Sequence, residues 1–174
     1  MDTDEFTDRQ LLDLHCLVME ALRQRGVVRS SNNPVADYTE TLVARALNAK
    51  LAVGSQAGFD AVGQDGTRYQ IKGRRLTATN RSTQLSALRN LASDPFDHLA
   101  AVVYNSSLKV EYAAFIPLDV VKRVRRYNSH TNAHTLHVRR SLLNEPGVVD
   151  ITMQIVKEMT HEGSIGFQRL SGHY

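Results

Sequence analysis

Three side chains in the stretch 58–75, GFDAVGQDGTRYQIKGRR, have the types and spacing of a reaction centre: Asp60, Gln70 and Lys72. A carboxylate and an amide are hard oxygen donors of the kind magnesium takes. An ammonium beside them can offset negative charge on a bound group. For that chemistry the three must share a face. The stretch reads as two short strands with a turn between them. Alternate strand residues point the same way, so Gln70 and Lys72 share one face while Tyr69 and Ile71 take the other.

Whether Asp60 joins them depends on the turn. A two-residue Asp65-Gly66 turn pairs Asp60 with Ile71 and sends its carboxylate to the wrong face. A three-residue loop, Gln64-Asp65-Gly66, pairs Asp60 with Gln70 and gathers the polar groups. Gly66 suits the left-handed position of that loop. A slip of one residue reverses the facing, and the sequence leaves both turns open.

The pattern resembles the PD-(D/E)XK nuclease superfamily, the restriction-endonuclease-like fold. That family places an aspartate on one strand, then an acidic residue and a lysine two apart on the next. Here they are Asp60 and then Gln70-Ile71-Lys72. Phe59 stands at the position of the name-giving proline, and Gln70 replaces the acidic residue, as in the Mrr-type restriction endonucleases. The resemblance spans roughly residues 37–116. It implies an α/β (α+β) fold with a central mixed sheet of about five strands flanked by helices. It also implies a metal-dependent endonuclease acting on DNA, most simply double-stranded. Asp60, the Ile71 carbonyl, Gln70 and Glu40 would hold Mg²⁺, with Mn²⁺ able to substitute. Lys72 would orient the nucleophile, and Arg74, Arg75, Arg81 and Arg89 would hold phosphates. Gly73 would let the DNA backbone approach. Cutting both strands with so small a chain implies a homodimer.

Two readings stay open for Glu40. Many members of the family carry a glutamate on the helix before the sheet, facing the active strands. Equally, Asp37 and Glu40 have the spacing of a capping box.

The elements that must position these residues follow from periodicity. Helical spacing predicts a helix over 7–25, with Thr7 and Gln10 as a capping box and Gly26 just past its end. Cys16 lies within that pattern and is expected to be a buried, inert thiol. A loop over 30–34 and a helix over 37–50 precede a short strand at 51–53. After the hairpin come a helix over 81–91, strands over 96–104 and 110–116, and a basic helix over 118–127. An edge strand at 135–138 and a weak helix over 148–159 complete the chain. The continuous apolar run 99–103 reads as a central strand buried on both faces.

At 174 residues, 42% hydrophobic and 22% charged, the chain suits one domain: a core over about 37–116, the N-terminal helix, and an extension over 117–174. No apolar leader or membrane span is visible, which predicts a cytoplasmic protein without a membrane partner. The net charge of +3 is uneven. Residues 1–60 carry 6 basic and 9 acidic side chains, residues 61–140 carry 13 and 5, and residues 141–174 carry 2 and 4. The middle segment is the candidate nucleic-acid face. His130, His134 and His137 have a spacing that zinc can use, but no cysteine or fourth ligand accompanies them, so surface histidines are expected. Nucleotide-binding and hydrolase motifs of the GxxxxGK[ST], GxGxxG and GxSxG kinds are absent.

Two other functions fit the same residues. One is a nucleic-acid-binding protein that has lost catalysis, as the Gln70 substitution favours. The other is a regulatory protein-interaction subunit whose basic segment meets an acidic partner.

Overall fold

A computed structural model describes residues 3–30, 33–53, 58–129 and 133–168, with side chains as far as residue 160. Helix α1 (Asp8–Gln24) starts as its sequence predicts. Gln10 N–H donates to Thr7 Oγ1 at 3.3 Å, and Thr7 N–H donates to Gln10 Oε1 at 2.9 Å. Gly26 follows the helix at φ +68°. Yet α1 contributes no buried side chain, and Cys16 is exposed rather than buried. The apolar spacing was sound, but its stripe faces neither core.

Helix α2 (Pro34–Ala46) begins a turn earlier than expected. Asn33 caps it by accepting Val35 N–H at 3.0 Å, and Pro34 takes the first position, where a missing N–H costs nothing. Asp37 is therefore inside the helix, and the Asp37–Glu40 capping box does not form. The Asp37 carboxylate instead accepts the N–H groups of Arg29 and Ser30, both at 2.7 Å. Burial pushes this carboxyl up, but the hydrogen bonds from Arg29 and Ser30 outweigh it and hold it below the usual aspartate range.

Among the described residues the centre of the fold is a mixed six-stranded sheet in the order β1-β2-β3-β4-β5-β8. Its strands are β1 (Lys50–Leu51), β2 (Ala61–Val62), β3 (Arg68–Arg75), β4 (His98–Tyr104), β5 (Val110–Pro117) and β8 (Val149–Asp150). Only the β3–β4 pair is parallel, with Gln70 opposite Leu99, Lys72 opposite Ala101 and Arg74 opposite Val103. Leu99 to Tyr104 have no exposed surface, as the apolar run predicts for a central strand.

The sheet separates two cores. On one face Ile71, Ala100, Val102 and Tyr104 pack under Leu42 and Val43 of α2 and Ile155 of α4 (Thr152–Gln168). On the other face Leu99, Ala101 and Val103 pack under Leu85, Leu88, Leu91, Leu136 and Val138. Residues of the C-terminal extension thus enter both cores and add β8 to the sheet.

The helix expected over 81–91 is not formed. The segment is extended and irregular, and ends in a 3-10 turn, Leu91–Ser93. Its backbone pairs with the 133–138 segment: Leu85 N–H donates to Leu136 O at 2.9 Å, and Leu88 N–H to His134 O at 2.8 Å. Local side chains compete with a helix as well, since Ser82 N–H turns to Asn80 Oδ1 and Gln84 N–H to Ser82 Oγ, both at 3.2 Å. The leucines whose spacing looked helical are buried all the same, Leu85 2% and Leu88 1% exposed. The far end of this crossover is clamped by Asp97, whose carboxylate accepts Arg68 N–H at 2.8 Å and pairs with its guanidinium at 2.9 Å. That guanidinium holds the Asp97 carboxyl below the usual range.

Helix α3 (Leu118–Val124) is shorter than expected, because Arg126 turns into a strand. Strand β6 (Arg126–Asn128) pairs with β7 (Ala133–Thr135) in a separate two-stranded sheet. No described helix is long and apolar enough to cross a membrane.

Candidate functional site

The hairpin between β2 and β3 takes the second of the two turns. Ala61 lies opposite Tyr69 and Val62 opposite Arg68. Gly63 N–H closes onto Thr67 O at 2.8 Å, which leaves Gln64, Asp65 and Gly66 as a three-residue loop. Gly66 is at φ +85°, the left-handed conformation a glycine takes without a steric penalty. Asp65 tightens the loop by accepting Thr67 N–H at 3.0 Å. This register continues to Asp60 opposite Gln70.

Asp60 is half-buried and held at every backbone atom that can bond. Its N–H donates to Tyr69 O at 2.7 Å, and its carbonyl accepts Ala52 N–H at 2.9 Å. Its Oδ2 accepts Ile71 N–H at 2.7 Å and also the Gln70 side-chain amide. Residues exchange N–H and C=O bonds on one side of a strand. The Ile71 carbonyl therefore points to the same side as its N–H, toward Asp60. Lys72 is half-buried on the Gln70 face and has no hydrogen-bond or ion-pair partner among the described residues.

The Glu40 carboxylate makes no hydrogen bond to Asp60, Gln70 or Lys72. It is 15% exposed and is paired with Arg29. Arg29 also reaches the Ala52 carbonyl at 3.5 Å, and the Ala52 amide is bonded to Asp60. Glu40 thus connects to the site through an arginine and a backbone link. Nothing in the sequence marked Arg29 as its partner, since a pairing eleven residues apart has no local signature.

Donor chemistry decides whether a metal fits. Among the described residues no three His, Cys, Asp or Glu side chains lie close enough to hold one. The available set is a single carboxylate, the Ile71 carbonyl and, after rotation of its amide, the Gln70 oxygen. These are hard oxygens, few in number, and suit a weakly held Mg²⁺ that keeps most of its water.

The four arginines expected to hold phosphates are dispersed. Arg74 shares the face of Lys72 and donates to Ser82 O at 2.7 Å and Asn80 Oδ1 at 2.8 Å. Arg75 projects from the opposite face and donates to Ser106 O at 2.9 Å. Arg81 and Arg89 are exposed on the crossover and have no side-chain partner among the described residues. Gly73 does not open the backbone to a ligand. A Cβ there would lie 2.2 Å from Thr39 Oγ1, so its space is filled by α2.

Of the histidines considered for zinc, His130 lies outside the described residues. His134 accepts from Arg125 Nε at 3.3 Å, whereas His137 lines a separate cleft with Arg126 and Arg139. That cleft was missed. Its signal was the alternation Thr135-Leu136-His137-Val138-Arg139, which sends every second residue outward.

Compared with known proteins, the chain matches no family model and no curated protein at a significant level.

Proposed function

We propose that the chain is a metal-dependent DNA endonuclease with a restriction-endonuclease-like core. The observation that carries this reading is the hairpin register, which brings Asp60, Gln70 and the Ile71 carbonyl together with Lys72 on the adjoining position. A bound Mg²⁺ would acidify an attacking water and draw charge from a phosphate oxygen. Asp60, fixed through Oδ2, offers Oδ1 to the metal. The Lys72 ammonium, with no carboxylate partner among the described residues, would take the charge that builds on the phosphate. Metal-dependent cleavage of duplex DNA, compared with a Lys72→Ala control, is the direct test.

One observation favours the catalytically inactive alternative. With Glu40 committed to Arg29 and Gln70 in place of an acid, the site has among the described residues one carboxylate, that of Asp60. The Gln70→Glu variant tests whether position 70 faces the metal in either reading. A glutamate cannot donate to Asp60 Oδ2, so the two carboxylates repel each other in the metal-free protein and gain a shared attraction for a cation. Mn²⁺ should bind this variant at least tenfold more tightly in calorimetric titration. Equal affinities would show that position 70 does not face the metal.

We propose further that the protein forms a homodimer through α1. Val18, at the centre of the stripe Leu11, Leu14, Val18 and Leu22, is 47% exposed, and Leu17 beside it is 69% exposed. The N-terminal end carries Glu5 and Asp8, and the C-terminal end carries Arg25 beside an Arg23 that is already paired with Glu20. An antiparallel pair of α1 helices therefore sets acid against base at both ends. Sedimentation equilibrium should give a dimer for the wild type and a monomer for Val18→Asp. A monomeric wild type removes the proposal.

A further inference from the structure

Strand β7 and the residues after it alternate in burial. Leu136 is 1% and Val138 0% exposed, both in the core beneath. Thr135, His137 and Arg139 therefore point away from the central sheet. Arg126 lies opposite Thr135 across β6–β7 and joins the same outward face. These four residues, with Val124, line a cleft.

The charges in this cleft, like those of Arg81 and Arg89, are uncompensated among the described residues. Most arginines here are engaged: Arg29 with Glu40, Arg68 with Asp97, Arg123 with Glu145, Arg140 with the Glu111 carbonyl. Among the described residues, neither Arg126 nor Arg139 makes a side-chain hydrogen bond or ion pair, and no carboxylate lines the cleft. Two uncompensated guanidiniums and an imidazole offer only donors or neutral groups to a ligand, beside Thr135, whose hydroxyl donates to Arg126 O at 3.4 Å. That set matches a phosphate, which accepts hydrogen bonds through every oxygen. The layer carrying the cleft covers the sheet face from which Gln70, Lys72 and Arg74 project, so its outer surface is on their side of the molecule.

We infer that this cleft is a phosphate-binding site for the nucleic-acid backbone, separate from the reaction centre. The inference rests on the nuclease reading only in taking its phosphates from a duplex. It gives Arg126 and Arg139 the task of orienting the duplex across the Lys72 face. Contacts of this kind position without reading sequence.

Fluorescence anisotropy of a short labelled duplex, over a salt series, tests it in the Lys72→Ala protein, where cleavage cannot obscure binding. Adding Arg126→Gln and Arg139→Gln removes two phosphate contacts, so the slope of log affinity against log salt should become shallower by about 1.8. Arg126→Lys with Arg139→Lys keeps the charges and should keep most of the slope, which separates lost contacts from lost folding. An unchanged slope in the glutamine variant overturns this inference and leaves the nuclease reading standing. A parent protein that binds no duplex overturns both. Pyrophosphate that raises the melting temperature of the parent but not of the glutamine variant, with duplex binding equal in the two, identifies a small-molecule phosphate site and overturns the duplex assignment.

Discussion

Lys72→Ala, and separately Asp60→Asn, should each lower metal-dependent cleavage of duplex DNA by about 10²–10³-fold or more, the cost of removing one well-placed charge-stabilising group. Both proteins should unfold at nearly the wild-type denaturant midpoint. The ammonium of Lys72 has no partner among the described residues, so its loss leaves no buried group unpaired. Asparagine at position 60 keeps one oxygen to accept Ile71 N–H, and the backbone bond from residue 60 to Tyr69 O is untouched. The two losses should differ in kind. Asp60→Asn should weaken Mn²⁺ binding in calorimetry, while Lys72→Ala should leave metal affinity almost unchanged and act on turnover alone. Wild-type cleavage by either variant would sink the assignment of the site. A wild type that binds duplex but never cuts it, over a range of Mg²⁺ and Mn²⁺, would favour the inactive reading.

A methyl group at position 73 should be among the most damaging small changes in the protein. Gly73→Ala places a Cβ 2.2 Å from Thr39 Oγ1 and 3.3 Å from Val35 Cγ1. Thr39 cannot move aside cheaply. It has no exposed surface, its hydroxyl donates to Val35 O at 2.6 Å, and it bonds the Tyr104 hydroxyl at 3.1 Å. Overpacking of this kind costs about 1–3 kcal/mol. Urea denaturation should show the loss as a lower midpoint at constant slope. Adding Thr39→Ala should recover part of it. The recovery stays partial because Val35 still crowds the new methyl and the Tyr104 hydroxyl loses its bond to Thr39. An unchanged midpoint in Gly73→Ala would mean that α2 is not seated on β3 as described. Because Gly73 follows Lys72 directly, the same substitution should also reduce any cleavage activity by displacing the strand that carries the lysine.

Much of this architecture is local and was legible in the sequence. Thr7 and Gln10 bond each other within one turn, so the start of α1 needs nothing beyond its own residues. The apolar run through Leu99–Val103 can be satisfied only in a strand covered on both sides, and β4 is that strand. The alternation of Gln70 and Lys72 follows from the strand period alone. Tertiary structure decided the rest. Both turns around Asp65-Gly66 suit the local sequence. The observed one puts Ala61 and Tyr69 into the core beneath α2, and a one-residue slip would expose them and bury Asp60. Residues 81–91 looked helical because their leucines recur at helical spacing. Their backbone donors and acceptors found partners some fifty residues away, at His134 and Leu136, and no window of local sequence contains that pairing. Likewise the sequence leaves Glu40 open between a carboxylate facing the hairpin and a helix cap, and only the fold pairs it with Arg29. Side-chain types and periods thus determined which residues could do chemistry. Long-range packing decided which of them meet, because a contact between distant segments depends on the whole core that brings them together.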